Sequence, residues 1–425
     1  MSRALEVALA LSAFIIVNLA TAYYQPRITY RNGREWDGIH YHAMAESLRE
    51  GHLPEGKAPF IYRFGLPLLA SLVPTENILD GFLVANLIGC FILLLLLLAW
   101  LRIYIEDWRV RLLLIFLFLV SFHYPVRMSY YAPAHIDVWD KVWLVAGLIV
   151  ISRYNVWRNS LVIACLCIIT AVGAIFRDVV LVIPLCFLVV RNPITISWNP
   201  FRLRLSQPPP AAFYLPLACG VLSFLALRFI LITPGGSYTF GRAVARHLYT
   251  IIPFDYVYAW FIAFGPVIVL ALYNWRSVGR FLWERQFLLV YFILFAVLSY
   301  IGGESTYRYV RWEFPLVFVF IAKAIEERAI LFKSPIFISI LAVTQLVSQR
   351  AFWATPDYPG GKVTLLLLTP IGNNVPLLDV IGMGGREVRF IALCQYLLLS
   401  LLLVLYLNWR KKRLALVSPG RGREG

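Results

Sequence analysis

Residues 79–101 read LDGFLVANLIGCFILLLLLLAWL, a run of 23 positions with a single charged side chain, Asp80. A helix crosses the roughly 30 Å hydrocarbon core of a bilayer in about 20 residues, so this run is long enough to span a membrane. Comparable runs occupy 4–22, 109–126, 138–152, 160–176, 179–190, 211–232, 256–272, 287–302, 312–326, 335–350 and 388–408. The expected fold is an all-α polytopic membrane protein with about 12 (10–13) transmembrane helices. Composition agrees. Of 425 residues, 60% are hydrophobic and 15% charged, with a mean hydropathy of +0.73. Soluble domains carry about 45–50% apolar and about 25% charged residues.

The net charge is +16. Arg and Lys are spread between the apolar runs, which fits positive-inside topology and lipid headgroups and excludes nucleic acid as a partner. With the N-terminus in the cytoplasm, twelve spans put the short basic segments 102–111, 153–159, 191–210, 273–286 and 327–334 and the tail Arg410–Arg413 inside. That arrangement needs residues 160–190 to form a hairpin of two spans with Arg177-Asp178 at its tip. Both termini are then cytoplasmic, and the first apolar run acts as a retained signal anchor. The localisation expected is the inner membrane of a bacterium. All six cysteines lie inside apolar runs and read as small buried hydrophobes, without metal-site spacing.

The polar segments 23–78, 127–137, 177–178, 233–255, 303–311 and 351–387 share the outer side in this arrangement. Residues 1–200 form the half that carries the first outer segment. Residues 201–425 form the other half, with outer loops 233–255, 303–311 and 351–387, and the Pro-containing stretch 198–210 reads as a linker between them. Within 37–50, Ile39, Met44, Ala45 and Leu48 alternate with charged residues, predicting an amphipathic interfacial helix ended by Gly51. Residues 60–70 then dip back as an apolar element too short to span.

The stretch Glu35-Trp36-Asp37-Gly38-Ile39-His40-Tyr41-His42 carries the first candidate chemistry. An ionised carboxylate beside a membrane is costly without a role or a partner. Asp37 fits a general base for an acceptor hydroxyl; a helix N-cap is the structural alternative. His40 and His42, two apart, point to different helix faces, so each suits a hydrogen bond to a phosphate or sugar better than shared metal ligation. Asp137 and Asp140 share one helix face beside His135 and Lys141. They read either as a second acidic site, able with Asp37 to hold a divalent metal, or as partners of a helix dipole. Arg177, Arg308, Arg311 and Arg63 are candidate phosphate ligands, because guanidinium forks match phosphate oxygens. Arg242, Arg246 and His247 form a weaker basic set. No Walker loop, dinucleotide fingerprint, zincin helix or Gly-x-Ser-x-Gly elbow is present, which argues against nucleotide-driven transport.

Trp36-Asp37-Gly38-Ile39-His40-Tyr41 resembles the acidic element in the first outer loop of the GT-C glycosyltransferase superfamily. That superfamily includes the polyprenyl- and dolichyl-phosphate-sugar-dependent mannosyltransferases, and the form here is similar to the GPI mannosyltransferase branch. Ala45, Gly51, Tyr62-Arg63 and Pro67 look like the continuation of the same loop. Asp137-x-x-Asp140 resembles the second acidic motif. Ala174–Asp178 through Pro184 resembles the charged tip between half-helices, and Tyr307-Arg308 through Pro315 the late arginine-then-proline segment.

The resemblance implies a membrane glycosyltransferase on the extracytoplasmic face. It implies a polyprenyl-phosphate-sugar donor, a lipid, glycan or protein acceptor, Asp37 as general base, and inversion at the sugar carbon. No cofactor is required beyond a possible divalent metal. Two other readings stand beside it: a transporter, flippase or polymerase of lipid-linked glycans, and a non-catalytic assembly subunit.

Overall fold

In a computed structural model, the described residues are 2–417 except 55, 122–124, 136, 192–193, 199–200, 206–207, 232–240, 242–243, 246–252, 302–305, 328–333, 352, 359–361, 365–373 and 377–385. Arg242, Arg246 and His247 therefore lie outside the described residues, as do most of 233–255 and 359–387.

The first part of the chain forms α1 (Arg3–Tyr24), α2 (Gly38–Arg49), α3 (Gly65–Leu72), α4 (Ile78–Tyr104), α5 (Trp108–Leu119), α6 (Pro125–Tyr131), α7 (Trp139–Ser152), α8 (Asn159–Phe176) and α9 (Val182–Leu188). A two-stranded antiparallel hairpin, β1 (Ile194–Trp198) and β2 (Phe201–Leu205), occupies much of the stretch read as a linker. The second part forms α10 (Leu215–Ile230), α11 (Pro253–Phe264), α12 (Val269–Tyr273), α13 (Trp275–Glu284), α14 (Gln286–Ile301), α15 (Thr306–Val310), α16 (Phe314–Glu326), α17 (Pro335–Ser348) and α18 (Arg386–Val417), with a second short hairpin, β3 (Lys362–Thr364) and β4 (Asn374–Pro376).

Among the described residues, five helices are long and apolar enough to cross a membrane: Arg3–Tyr24, Ile78–Tyr104, Asn159–Phe176, Ala211–Ile230 and Arg386–Arg413. The number rises to seven if each of two bent pairs counts as one span. The chain is thus a multi-pass membrane protein, but the expectation of about 12 spans is overturned. The remaining apolar runs do fold as helices, but short ones. α5, α7, α16 and α17 have 12, 14, 13 and 14 residues. At 1.5 Å per residue they reach only about 18–21 Å, short of the roughly 30 Å required. The runs 256–272 and 287–302 are not straight either. Pro253–Phe264 turns by 102° into Pro266–Tyr273 at Gly265, whose φ is +72°. Trp275–Glu284 turns by 115° into Gln286–Ile301. The alternation of faces that rested on twelve crossings falls with the count.

Helix α4 forms the centre, packing against α3, α6 and α7. α16 is buried at every position except Lys323 and Glu326, as expected of a helix that is apolar all round. Trp100 of α4 donates from Nε1 to the Pro315 carbonyl at 2.9 Å and ties the two together. At the N-terminal end of α1, buried Glu6 accepts from Arg102 at 2.9 Å and from Arg111 at 2.6 Å, joining α1, α4 and α5. At its other end, Gln25 exchanges two hydrogen bonds with Thr355, 3.0 and 2.8 Å long. Asp357 accepts from Thr29, at 2.7 Å from the backbone N–H and 2.6 Å from the hydroxyl. The segment after α17 is thereby strapped across the loop that precedes α2.

Candidate functional site

The loop after α6 is fixed from below by α4. Asn86, fully buried, donates through Nδ2 to the carbonyls of Pro133 at 2.8 Å and His135 at 3.2 Å. The start of α2 rests on the same loop. A side chain at Gly38 would place its Cβ 2.7 Å from Ala134 Cβ and 2.8 Å from Glu35 Cγ, so only glycine fits there. These two contacts bring Glu35 and Asp37 beside His135 and Asp137.

Asp137 is the hub. It accepts two parallel bonds from Arg308, Nε and Nη2 each at 3.0 Å, and a third from Arg177 Nη1 at 2.5 Å. His135 Nε2 lies 2.8 Å from its Oδ2, and His135 Nδ1 lies 3.5 Å from Glu35. Asp140, with no exposed surface, accepts from Arg177 at 3.1 Å and from Trp312 Nε1 at 3.0 Å. Arg177 lies over the Trp312 ring, 5.1 Å from its centre. Lys141 donates to the Asp137 carbonyl and stands 3.4 Å from Asp140. The set contains two aspartates and Glu35 against two arginines, a lysine and a histidine. Buried charges persist only when paired in this way.

Electrostatics follow from these contacts. Burial disfavours the ionised form of Asp137, but Arg308, His135 and Arg177 outweigh it and hold its pKa well below the usual carboxylate range. Burial also pushes His135 down, yet Asp137 and Glu35 beside it together raise it overall. Glu35 is raised by burial, only partly offset by His135. Burial lowers Arg311 to about 10, the pull of Asp137 notwithstanding.

Asp37 differs from this buried set. It precedes the first residue of α2 but makes no side-chain capping bond. Its side chain is 40% exposed, and its Oδ2 lies 3.7 Å from Arg308 Nη1, the guanidinium nitrogen that Asp137 leaves over. The chain Asp37–Arg308–Asp137–Arg177–Asp140 therefore joins five residues singled out in the sequence. Arg63 sits 3.9 Å from Asp178, next to Arg177 in the chain. Arg311 donates to the Tyr307 carbonyl at 3.2 Å and lines the same wall as Lys141. The two histidines stand apart from the network: His40 stacks on Phe60 at 4.6 Å, and His42 is buried with Nδ1 3.0 Å from Glu46.

Glu35 and Trp312 belong to the network but were not singled out in the sequence. Glu35 stood within the quoted stretch. Trp312 carried no signal, since an aromatic at a helix start reads as packing. Beside Lys141 and Arg311, two cavities of about 10 and 20 Å³ have room for single waters. Among the described residues, no group of three or more His, Cys, Asp or Glu side chains is arranged to hold a metal ion. No family model, curated protein or solved structure matches the chain.

Proposed function

We propose that the protein is a membrane glycosyltransferase that moves a sugar from a polyprenyl-phosphate donor to a hydroxyl acceptor. In this reading the site faces the extracytoplasmic side of a bacterial inner membrane, with the Arg3 end of α1 in the cytoplasm. The observation that carries the reading is the division of labour at Arg308. One edge of its guanidinium is fixed by buried Asp137, while Nη1 is turned towards the exposed carboxylate of Asp37. A held cation next to a solvent-facing base is what attack on a phosphate-linked sugar requires.

Asp37 takes the proton of the acceptor hydroxyl. The freed oxygen bonds to the anomeric carbon, and the bond from that carbon to the phosphate oxygen breaks, leaving its electron pair on the lipid phosphate. The sugar carbon inverts. Arg308 and Arg63 are the guanidiniums nearest the exposed side to receive the leaving phosphate, with 16% and 20% of their side chains exposed. Asp137, Asp140 and His135 do not meet the substrate in this scheme; they position Arg308 and Arg177. The likeness to the GT-C loop element supports the assignment at Trp36-Asp37.

The test is mass spectrometry of glycolipids, glycans and glycoproteins from a deletion strain, complemented with wild type or with Asp37→Asn at equal membrane abundance. The expected result is loss of one defined sugar increment in the deletion and in Asp37→Asn, with a transfer rate roughly 10²–10⁴ lower in the variant. A full product from Asp37→Asn would overturn the catalytic assignment.

A further inference from the structure

A cavity lies at the far end of α4 from the candidate site. It measures about 530 Å³ and opens where the C-terminal ends of α4, α7 and α9 meet the α13–α14 bend. One wall is apolar: Ile103, Ile151, Val189, Val190 and Phe287. The lining also carries polar side chains. Arg285 and Glu284 line it as an exposed ion pair, Arg285 Nη1 donating to Glu284 Oε2 at 3.2 Å, with 39% and 57% of their side chains exposed. Arg285 also lies over Phe281, 4.5 Å from the ring centre, so its guanidinium is held at the rim rather than swinging free.

Deeper in, the Tyr104 hydroxyl is 2.8 Å from Ser152 Oγ. Ser152 gives its own proton to the Leu148 carbonyl at 2.8 Å. Tyr104 is therefore the donor to Ser152, and its oxygen keeps acceptor capacity. Gln286 is engaged elsewhere, exchanging two bonds with the backbone of Ile194 in the β1 strand.

The charges lining this cavity, one guanidinium and one carboxylate, sum to zero, so neither a simple anion nor a simple cation is favoured. A ligand with a negative and a positive group a few bonds apart meets both. The apolar wall asks for a hydrocarbon continuation. The location supplies it, because Tyr104 ends a span of 27 residues. α13 leads to the mouth with Trp275 and Trp283 exposed and Arg276 and Arg280 along it, the pattern of a helix lying in the headgroup layer.

We propose that this cavity binds a phosphate–primary-ammonium zwitterion, the headgroup chemistry of an ethanolamine phospholipid. The phosphate meets Arg285, and the ammonium donates to Glu284 and to the Tyr104 oxygen. A choline headgroup, with no N–H, cannot make the second set of bonds, and a glycerol headgroup has no cation for Glu284. This site stands independently of the sugar-transfer reading.

The experiment is native mass spectrometry of the full chain in detergent, counting retained lipid after mixing with phosphatidylethanolamine, phosphatidylcholine or phosphatidylglycerol. Soluble phosphoethanolamine serves as a competitor. Retention of the ethanolamine lipid is expected to exceed that of the choline lipid about tenfold, the effect of one charge-assisted hydrogen bond. Glu284→Gln is expected to shift preference towards phosphatidylglycerol, Arg285→Ala to weaken retention of all three about tenfold, and Tyr104→Phe to lower only the ethanolamine lipid. A change of preference in Glu284→Gln is not what a folding defect produces, and lipid-free thermal unfolding serves as the fold control for Arg285→Ala and Tyr104→Phe. Displacement by phosphoethanolamine at a concentration equal to the lipid assigns the same chemistry to a soluble headgroup compound. Equal retention of the three lipids, or variants that behave as wild type, overturns the proposal.

Discussion

At Asp137 and Asp140 the local pattern was legible and the partners were not. Their i,i+3 spacing predicted one shared helix face, whereas α7 begins at Trp139 and leaves Asp137 outside it; the two accept from the same guanidinium, Arg177, all the same. That guanidinium is 40 residues away, and Arg308 is 171 away. Spacing along one helix has no access to such distances, which is why the pair read equally well as a dipole partner. Proton binding gives a test. Folding raises Glu35 through burial, and it raises His135 because burial, which lowers it, is outweighed by Asp137 and Glu35 together. The stability each contributes is complete below its unfolded value, about 4.3 for Glu and about 6.5 for His, and is lost as pH rises through the folded value. Asp137 works in the opposite sense, its contribution vanishing only as pH falls through a folded value well below the carboxylate range. Above about pH 6.5, the unfolded value of His, these two raised groups set the sign, so the unfolding temperature in detergent is expected to fall as pH rises. His135→Gln is expected to flatten that slope, and a rise in stability over the same interval would contradict the pairing.

The helices divide by what hydropathy can report. α1, α4, α8, α10 and α18 were visible because a long apolar run is sufficient to make a long helix. The same measure cannot tell one straight span from two short helices, since a bend leaves hydropathy unchanged. At Gly265 the bend depends on a positive φ and on a neighbour, Gln345, whose Nε2 donates to the Phe264 carbonyl at 3.1 Å. A Cβ at that position would collide with Gln345 Oε1. Gly265→Ala is therefore expected to destabilise the protein by about 1–3 kcal/mol, read as a lower unfolding temperature in detergent. α2 was legible for a different reason. Its apolar positions follow helical spacing, Gly51 takes a φ of +81° just beyond it, and Tyr41, Met44 and Ala45 are buried.

Among the described residues the crossings number five, six or seven as neither, one or both of the bent pairs count as a span. An odd count sets Arg3 and the basic tail Arg410–Arg413 on opposite faces of the membrane, whereas their shared charge favours one face. Span length is the harder constraint, because unsatisfied backbone cannot sit in hydrocarbon. Reporter fusions at the two ends are expected to read opposite faces; two cytoplasmic readings would show that one bent pair, or a shorter helix, also crosses. The network around Asp137 has a further consequence, in the time domain. Arg177 leaves the ribosome 40 residues after Asp137, and Arg308 leaves 171 residues after it. At about 5–20 residues per second, those delays are roughly 2–8 s and roughly 9–34 s. From residue 177 until residue 308, then, a nascent chain has one of the two guanidiniums available to neutralise Asp137. A chain interrupted between residues 177 and 308 carries Asp137 with Arg177 and an Asp37 still without its cation.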